Sequence, residues 1–212
     1  SLARFFGSEK GIKNFLLQTS ILKRLNWPLC DAVTDRTDSR SLLGELERAN
    51  LFIVPLDNRR EWYRYHRLFT DLLQRRLIES HSAADIAQLH QRASEWYERQ
   101  PLLSEAIDQA LTIQDHARAA RLLEQVAPEM FMRSELNLLI EWLRQLPETA
   151  LVSRPRLCML YGWAARATNH LPEADQCVHL IENFFGADID ALADDTLLTP
   201  EARAALIEVS VL

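Results

Sequence analysis

One stretch of this chain changes period. Leu51-Phe52-Ile53-Val54-Pro55-Leu56 is a short apolar run of strand type, Asp57-Asn58-Arg59-Arg60 has the composition of a turn, and Glu61-Trp62-Tyr63-Arg64-Tyr65-His66 alternates. Asp and Asn tolerate the backbone angles that tight hairpins demand, and Pro55 points to an edge position or an early end of the ladder. Helical spacing surrounds this stretch on both sides, so the chain is constrained to a helical protein that carries one β-hairpin.

Ahead of the hairpin, Ile12, Phe15, Leu16, Ile21, Leu22 and Leu25 recur mainly at helical intervals and predict a helix over Gly11–Leu25, ended by Trp27-Pro28. A short helix is expected over Leu29–Val33. A third begins near Ser39–Ser41, with Ser41 as cap and Leu42, Leu43, Leu46 and Ala49 on one face. After the hairpin, Leu68, Phe69, Leu72, Leu73, Arg76 and Leu77 restore the helical period. Three helices, a hairpin and a closing helix describe a winged-helix-like domain over residues 1–80.

Everything beyond residue 81 reads as helix, so the fold class is mainly α. Helices are expected over Ala84–Glu98, Ser104–Leu111, His116–Val126 and Glu135–Leu146, separated by breaks short enough to make antiparallel neighbours. Residues 81–150 form a helical arm in this reading. From residue 151 a more specific hairpin begins: Leu157–Thr168, a break at Asn169–Pro172, then a helix lined by Ala174, Val178 and Ile181. Gly162 and Ala174 have the separation of the small residues that let two helices of a tetratricopeptide repeat approach closely. Residues 151–212 are therefore expected to open a TPR-like superhelix, with further repeats to follow.

Charge is unevenly placed along the 212 residues. Residues 1–80 hold 14 Lys+Arg against 10 Asp+Glu, and residues 81–212 hold 10 against 20. The first region is compatible with an anionic partner. No apolar run is long enough to span a bilayer and no signal sequence stands at the start, so a cytoplasmic protein without membrane contact is expected. The missing initiator Met, and the uncapped helical run Pro200–Leu212, read as a piece of a longer protein.

Motifs for catalysis are missing. There is no G-x-x-x-x-G-K-[ST] loop, no G-x-S-x-G, no H-E-x-x-H and no metal-spaced cluster. Cys30, Cys158 and Cys177 are far apart in sequence and read as buried, reduced thiols. Asp188, Asp190, Asp194 and Asp195 lack calcium-loop spacing and read as a solvated loop, and His81 and His90 as surface residues. This chain by itself is not expected to be an enzyme, to hold a cofactor or to bind a metal.

Three ordered segments carry a resemblance: Phe15-Leu16-Leu17-Gln18-Thr19-Ser20-Ile21-Leu22, Leu46-Glu47-Arg48-Ala49-Asn50-Leu51-Phe52 and Trp62-Tyr63-Arg64-Tyr65-His66-Arg67-Leu68-Phe69. It continues through His90–Tyr97, Glu105–Leu111 and Leu138–Leu143 with Leu146-Pro147. The series resembles the region after the ATPase module in MalT-like members of the LuxR group of regulators, which belong to the STAND signal-transduction NTPases. The resemblance implies a parent with an upstream P-loop module using ATP/ADP and Mg, and a superhelix binding a small-molecule or protein inducer. DNA would be bound through a C-terminal helix-turn-helix that this chain lacks. It also implies a role for His66. Related winged helices carry a His-Asp pair at this junction, the His meeting the β-phosphate of ADP; here Arg67 stands in the second place. A contact made only with ADP would hold the parent inactive.

Two other readings follow from the residues. Arg59, Arg60, Arg64, Arg67, Arg75 and Arg76 suit a winged helix that binds DNA directly, although Glu45 and Glu47 sit on the only candidate recognition helix and Trp62, Tyr63 and Tyr65 look like strand packing. Stacked helical hairpins also suit an interaction scaffold, with Glu141, Trp142, Arg144, Tyr161 or Trp163 lining its surface.

Overall fold

Helix α1 (Glu9–Thr19) opens the part of the chain, residues 9–49 and 52–185, that this computed structural model describes. The sequence predicts that α1 continues to Leu25. It stops at Thr19 because two hydroxyls capture its last carbonyls: Thr19 Oγ1 donates to Phe15 O at 2.7 Å and Ser20 Oγ to Leu17 O at 2.6 Å. Ile21, Leu22 and Leu25 are buried all the same. Leu25 reaches the core as a bridge to the hairpin, exchanging both backbone hydrogen bonds with Tyr63 at 2.7 and 2.8 Å.

Trp27-Pro28 starts a helix where the sequence reading ended one. In α2 (Trp27–Thr34) Pro28 lies in the first turn, where its missing N–H costs nothing, and Asn26 Oδ1 accepts from Leu29 N at 2.8 Å. Helix α3 (Ser39–Arg48) buries Leu42, Leu43 and Leu46 as anticipated, but Ala49 is exposed just beyond its end. Ser41 does not cap α3; its hydroxyl lies toward Glu45, and the Ser39 amide is satisfied by the Asp31 carboxylate at 3.1 Å.

The hairpin pairs β1 (Ile53–Pro55) with β2 (Tyr63–Tyr65) in antiparallel register Ile53↔Tyr65, Val54↔Arg64 and Pro55↔Tyr63. Because Leu25 flanks β2, β1 is the edge, and Pro55 closes its ladder. In the connecting loop Asp57 accepts from Glu61 N at 3.1 Å and Trp62 N at 2.8 Å, which holds its carboxyl below the usual range. The left-handed residue of that loop is Arg60, at φ 55°, not the Asn the sequence offers.

Helix α4 (Arg67–Ser80) closes this segment. Only Leu73 and Leu77 of its apolar residues are buried; Leu68 and Leu72, which share the helical period, are 75% and 52% exposed. Two further helices follow, α5 (Ala83–Arg99) and α6 (Leu103–Thr112). Ser82 and Asp85 form a reciprocal capping box at the start of α5. Buried Ser94 donates to Ala106 O at 2.8 Å across the α5–α6 hairpin, and Arg92 donates to Val33 O at 3.2 Å, tying α5 to α2.

The chain divides into two compact units, Ser1–Ile113 and Gln114–Leu212. The second contains α7 (His116–Met132), α8 (Leu136–Leu143), α9 (Glu148–Val152), α10 (Pro155–Ala167) and α11 (Leu171–Phe185). Helix α7 runs on past the expected end at Val126 and through Pro128, because Ala127 and Met130 are still buried. Helix α8 is shorter than its period suggested: Arg144–Leu146 tighten into turns, with Gln145 N on Trp142 O and Leu146 N on Leu143 O. Helix α9 was not legible in the sequence.

The break before α11 centres on Asn169, left-handed at φ 61°, and Pro172 lies inside the helix it was expected to precede. Gly162 does mark a close approach, but to Cys177 and not to Ala174: a Cβ at Gly162 would stand 3.3 Å from the Cys177 Cβ. Asp188, Asp190, Asp194, Asp195 and the run Pro200–Leu212 lie outside the described residues. Among the described residues no helix is long and apolar enough to cross a membrane.

Candidate functional site

His66 is held by its backbone and left free at its side chain. Its N–H donates to Phe52 O at 2.8 Å, and its carbonyl accepts from Phe69 N at 2.9 Å and Thr70 N at 3.0 Å. The residue before it is one of the most firmly fixed in the first unit. Tyr65 is buried, and its hydroxyl shares a 2.8 Å hydrogen bond with buried Thr19, whose own hydroxyl is committed to Phe15 O. Burial pushes the Tyr65 phenol far up, the nearby Cys30 thiol adds to this, and the Thr19 bond opposes it. Tyr65 also meets Phe69 edge-on at 5.8 Å.

The imidazole that follows occupies the N-cap position of α4 but makes no cap hydrogen bond, is exposed, and bonds to no described residue. It stands at the positive end of a 14-residue helix, where unpaired amides favour an anion. Arg64 and Arg67 flank it, exposed and without an ion pair to any described residue, as are Arg59 and Arg75. The other two arginines of the sequence-derived basic set are engaged, Arg60 with Glu47 at 3.4 Å and Arg76 with Glu79 at 3.4 Å.

Apolar surface surrounds His66. Phe52 is 56% exposed and stacks on Phe69 with ring centroids 4.7 Å apart, and Leu68 and Leu72 follow along α4. Phe52 adopts a left-handed φ of 55°, a conformation that costs a bulky L-residue about 1–3 kcal/mol and persists only when its surroundings hold it. Here the Phe69 stack and the His66 amide do so. Helical period alone places Leu68 and Leu72 on α4 and does not mark them as a surface patch. The available signal was that α4 carries two apolar faces, Leu68/Leu72 and Leu73/Leu77, and a helix with two such faces needs two neighbours.

The remaining candidates are structural. Tyr63 and Tyr65 are buried, and Trp62 lies under the Arg24 guanidinium at 4.5 Å, which is packing and not a platform for bases. Glu47 on α3 accepts from the Tyr63 hydroxyl at 3.1 Å as well as pairing with Arg60. His81 hydrogen-bonds Asn14 at 3.2 Å, whereas His90 bonds Gln109 at 2.6 Å, so they do not form one site. Trp142 and Tyr161 are core residues, Arg144 pairs with Glu173, and half-buried Trp163 meets Phe131 edge-on at 6.3 Å. Among the described residues no cluster of His, Cys, Asp and Glu is arranged to hold a metal.

Comparison with known proteins gives three findings. Residues 6–85 match the family model of the MalT winged helix domain. The chain is 32% identical over 209 residues to the serine/threonine-protein kinase PknK of Mycobacterium tuberculosis, covering 94% of this chain and 19% of that protein. It is 33% identical over 178 residues to the HTH-type transcriptional regulator MalT of Klebsiella pneumoniae, covering 84% of this chain and 20% of that protein. The chain spans about a fifth of the length of the curated relatives it matches.

Proposed function

Because residues 6–85 of this chain belong to the MalT winged helix domain family, we propose that the chain is a regulatory segment of a larger ATP-dependent signalling protein. Its first unit senses the nucleotide state of an upstream P-loop module. The helical hairpins after it lead into a TPR-like region that binds the inducing signal. The output in the parent is DNA binding through a distant helix-turn-helix. The likeness to a protein named a kinase and to one named a transcriptional regulator supports a role that either output can use: control, not catalysis.

The observation that carries this reading is His66. Its backbone is held by three hydrogen bonds, while its side chain bonds to no described residue, is exposed and stands at a helix N-terminus. An imidazole N–H donated to a phosphate is charge-assisted and contributes about 1.5–3 kcal/mol. The exposed apolar residues Phe52, Leu68 and Leu72 supply the surface by which a neighbouring module docks next to that contact. Departure of ADP then removes the polar tie while leaving the apolar one, which is how a small ligand moves a two-state equilibrium.

The test is His66→Ala in the complete parent protein, with ADP release and inducer dependence measured together. Loss of the contact predicts ADP release faster by roughly ten- to a hundredfold, together with activity at lower inducer. Unchanged release and unchanged inducer dependence would remove the nucleotide-sensing role.

Four exposed arginines without an ion pair to any described residue, Arg59, Arg64, Arg67 and Arg75, favour direct DNA binding as a second reading. A titration with random duplex at low salt separates the two. Phosphate-driven binding must weaken steeply as salt rises, and absence of binding at low salt leaves the regulatory reading alone.

A further inference from the structure

We propose that Cys158 and Cys177 form an oxidation-sensitive clasp across the α10–α11 hairpin, closing to a disulfide when a hydroperoxide reaches them. The two thiols come from facing helices and are each 1% exposed. The Cys158 S–H donates to the Cys177 backbone carbonyl at 3.7 Å, so this sulfur lies against the facing cysteine. One turn along α10, Gly162 brings the helices so close that an added Cβ would stand 3.3 Å from the Cys177 Cβ. A disulfide needs Cα atoms within about 7 Å and Cβ atoms about 3.5–4.5 Å apart; the Cys158 sulfur already touches the Cys177 backbone, and the Gly162 contact one turn away holds the two helices close. Placed elsewhere on the hairpin, the same two residues would be ordinary small hydrophobes.

Burial disfavours the thiolate at both positions, so one thiol must ionise on local opening before it attacks, and Cys158 takes that role here. Its thiolate attacks one peroxide oxygen, forming an S–O bond and breaking O–O, and the departing hydroxide takes a proton to become water. Cys177 then gives its proton to solvent, and its sulfur attacks the Cys158 sulfenic acid; S–S forms, S–O breaks, and hydroxide leaves as a second water. Two thiols lose two electrons in total, and one hydroperoxide is reduced. Because both sulfurs are buried, the reaction waits on local opening of the hairpin, and the closed clasp then prevents that opening. Cys30, alone in the first unit and pushed up by burial and by Asp31, is the internal control.

The 212-residue chain is reduced, treated with hydrogen peroxide under native conditions, then unfolded in an alkylating reagent and mapped without reduction. The expected product is one cross-linked peptide pair joining Cys158 to Cys177, with Cys30 alkylated and the link reversed by dithiothreitol. Amide exchange over α10 and α11 in the oxidised chain should slow by about tenfold or more, and Cys158→Ser should show neither effect. The proposal is overturned if both cysteines stay alkylatable, if oxidation runs to sulfinic acid without a link, or if links form only when denaturant is present during oxidation.

Discussion

The junction between β2 and α4 leaves an imidazole, two arginines and three large apolar side chains open to solvent, whereas the α10–α11 hairpin spends its small residues on closeness. At the junction, each exposed group is attached to something immobile: His66 follows Tyr65, whose hydroxyl is locked on Thr19, and Phe52 is pinned by Phe69 and the His66 amide. At the hairpin, Arg144 pairs with Glu173 and Arg154 with Glu124 at 2.6 Å, and the neutral Gln176 amide donates to Glu148 at 2.7 Å. A fixed backbone with unsatisfied side chains is a surface prepared for a partner. A close-packed pair of helices whose small residues meet is a face already completed by its own chain. The difference teaches where to look for a binding surface in this protein: at groups without a described partner on rigid supports, not at conspicuous residues such as tryptophan.

The comparison breaks most easily through the support of the junction. Phe15 is fully buried and carries the carbonyl to which Thr19 donates. Phe15→Ala should destabilise the first unit by about 3–5 kcal/mol, measured by denaturant unfolding followed at the tryptophans. A loss below about 1 kcal/mol would mean that the junction is not held from the α1 side. In the second unit the matching change is Gly162→Val. The added side chain would meet Cys177 at a distance already tight for one Cβ, and overpacking of this kind costs about 1–3 kcal/mol. A variant as stable as the parent chain would show that α11 gives way freely and that the closeness argued for the hairpin is not enforced.

How much of this was legible in the sequence follows from which residues carry the information. The hairpin was readable because Asp57, Asn58 and the alternation through Tyr65 are local signals, and the register set by Ile53 and Tyr65 only needed the turn. The end of α1 was not, because Ile21, Leu22 and Leu25 keep helical spacing while serving a bridge to Tyr63, a partner 38 residues away. Trp27-Pro28 was misread for a related reason: proline both ends and begins helices, and Asn26 decides which. His66 is singled out only by the family resemblance; nothing in its neighbours' composition distinguishes it. The apolar patch beside it was hidden because periodicity cannot tell a residue buried by its own chain from one that awaits another.

Proton linkage separates the two kinds of histidine. His90 is half-buried against Gln109, and burial lowers its affinity for protons despite that hydrogen bond. Unfolding returns the imidazole to its ordinary value near 6.5, so the unfolded chain binds more protons below that pH. The His90 contribution to stability is fully present above 6.5 and is lost as pH falls through the lowered folded value. Denaturation midpoints taken above and below that range should therefore drop on acidification, and His90→Asn should shrink the drop. An unchanged drop would assign the effect to other groups.

The smallest expected effect on folding belongs to the residue with the largest expected effect on function. The His66 side chain has no described partner to lose, and its backbone bonds survive any substitution that keeps the N-cap conformation of φ −62° and ψ 137°. His66→Ala should change the unfolding free energy by no more than about 0.5 kcal/mol, the range of surface substitutions away from special features, in the same parent protein whose ADP release it is expected to accelerate. Alanine is a poor N-cap residue, but His66 supplies no cap bond, so this substitution removes none. If His66→Ala instead destabilised the protein by several kcal/mol, the imidazole would be part of the scaffold. Faster ADP release would then report a loosened domain and not a lost phosphate contact. Stability and release measured on one variant thus decide whether the junction is a sensor or a joint.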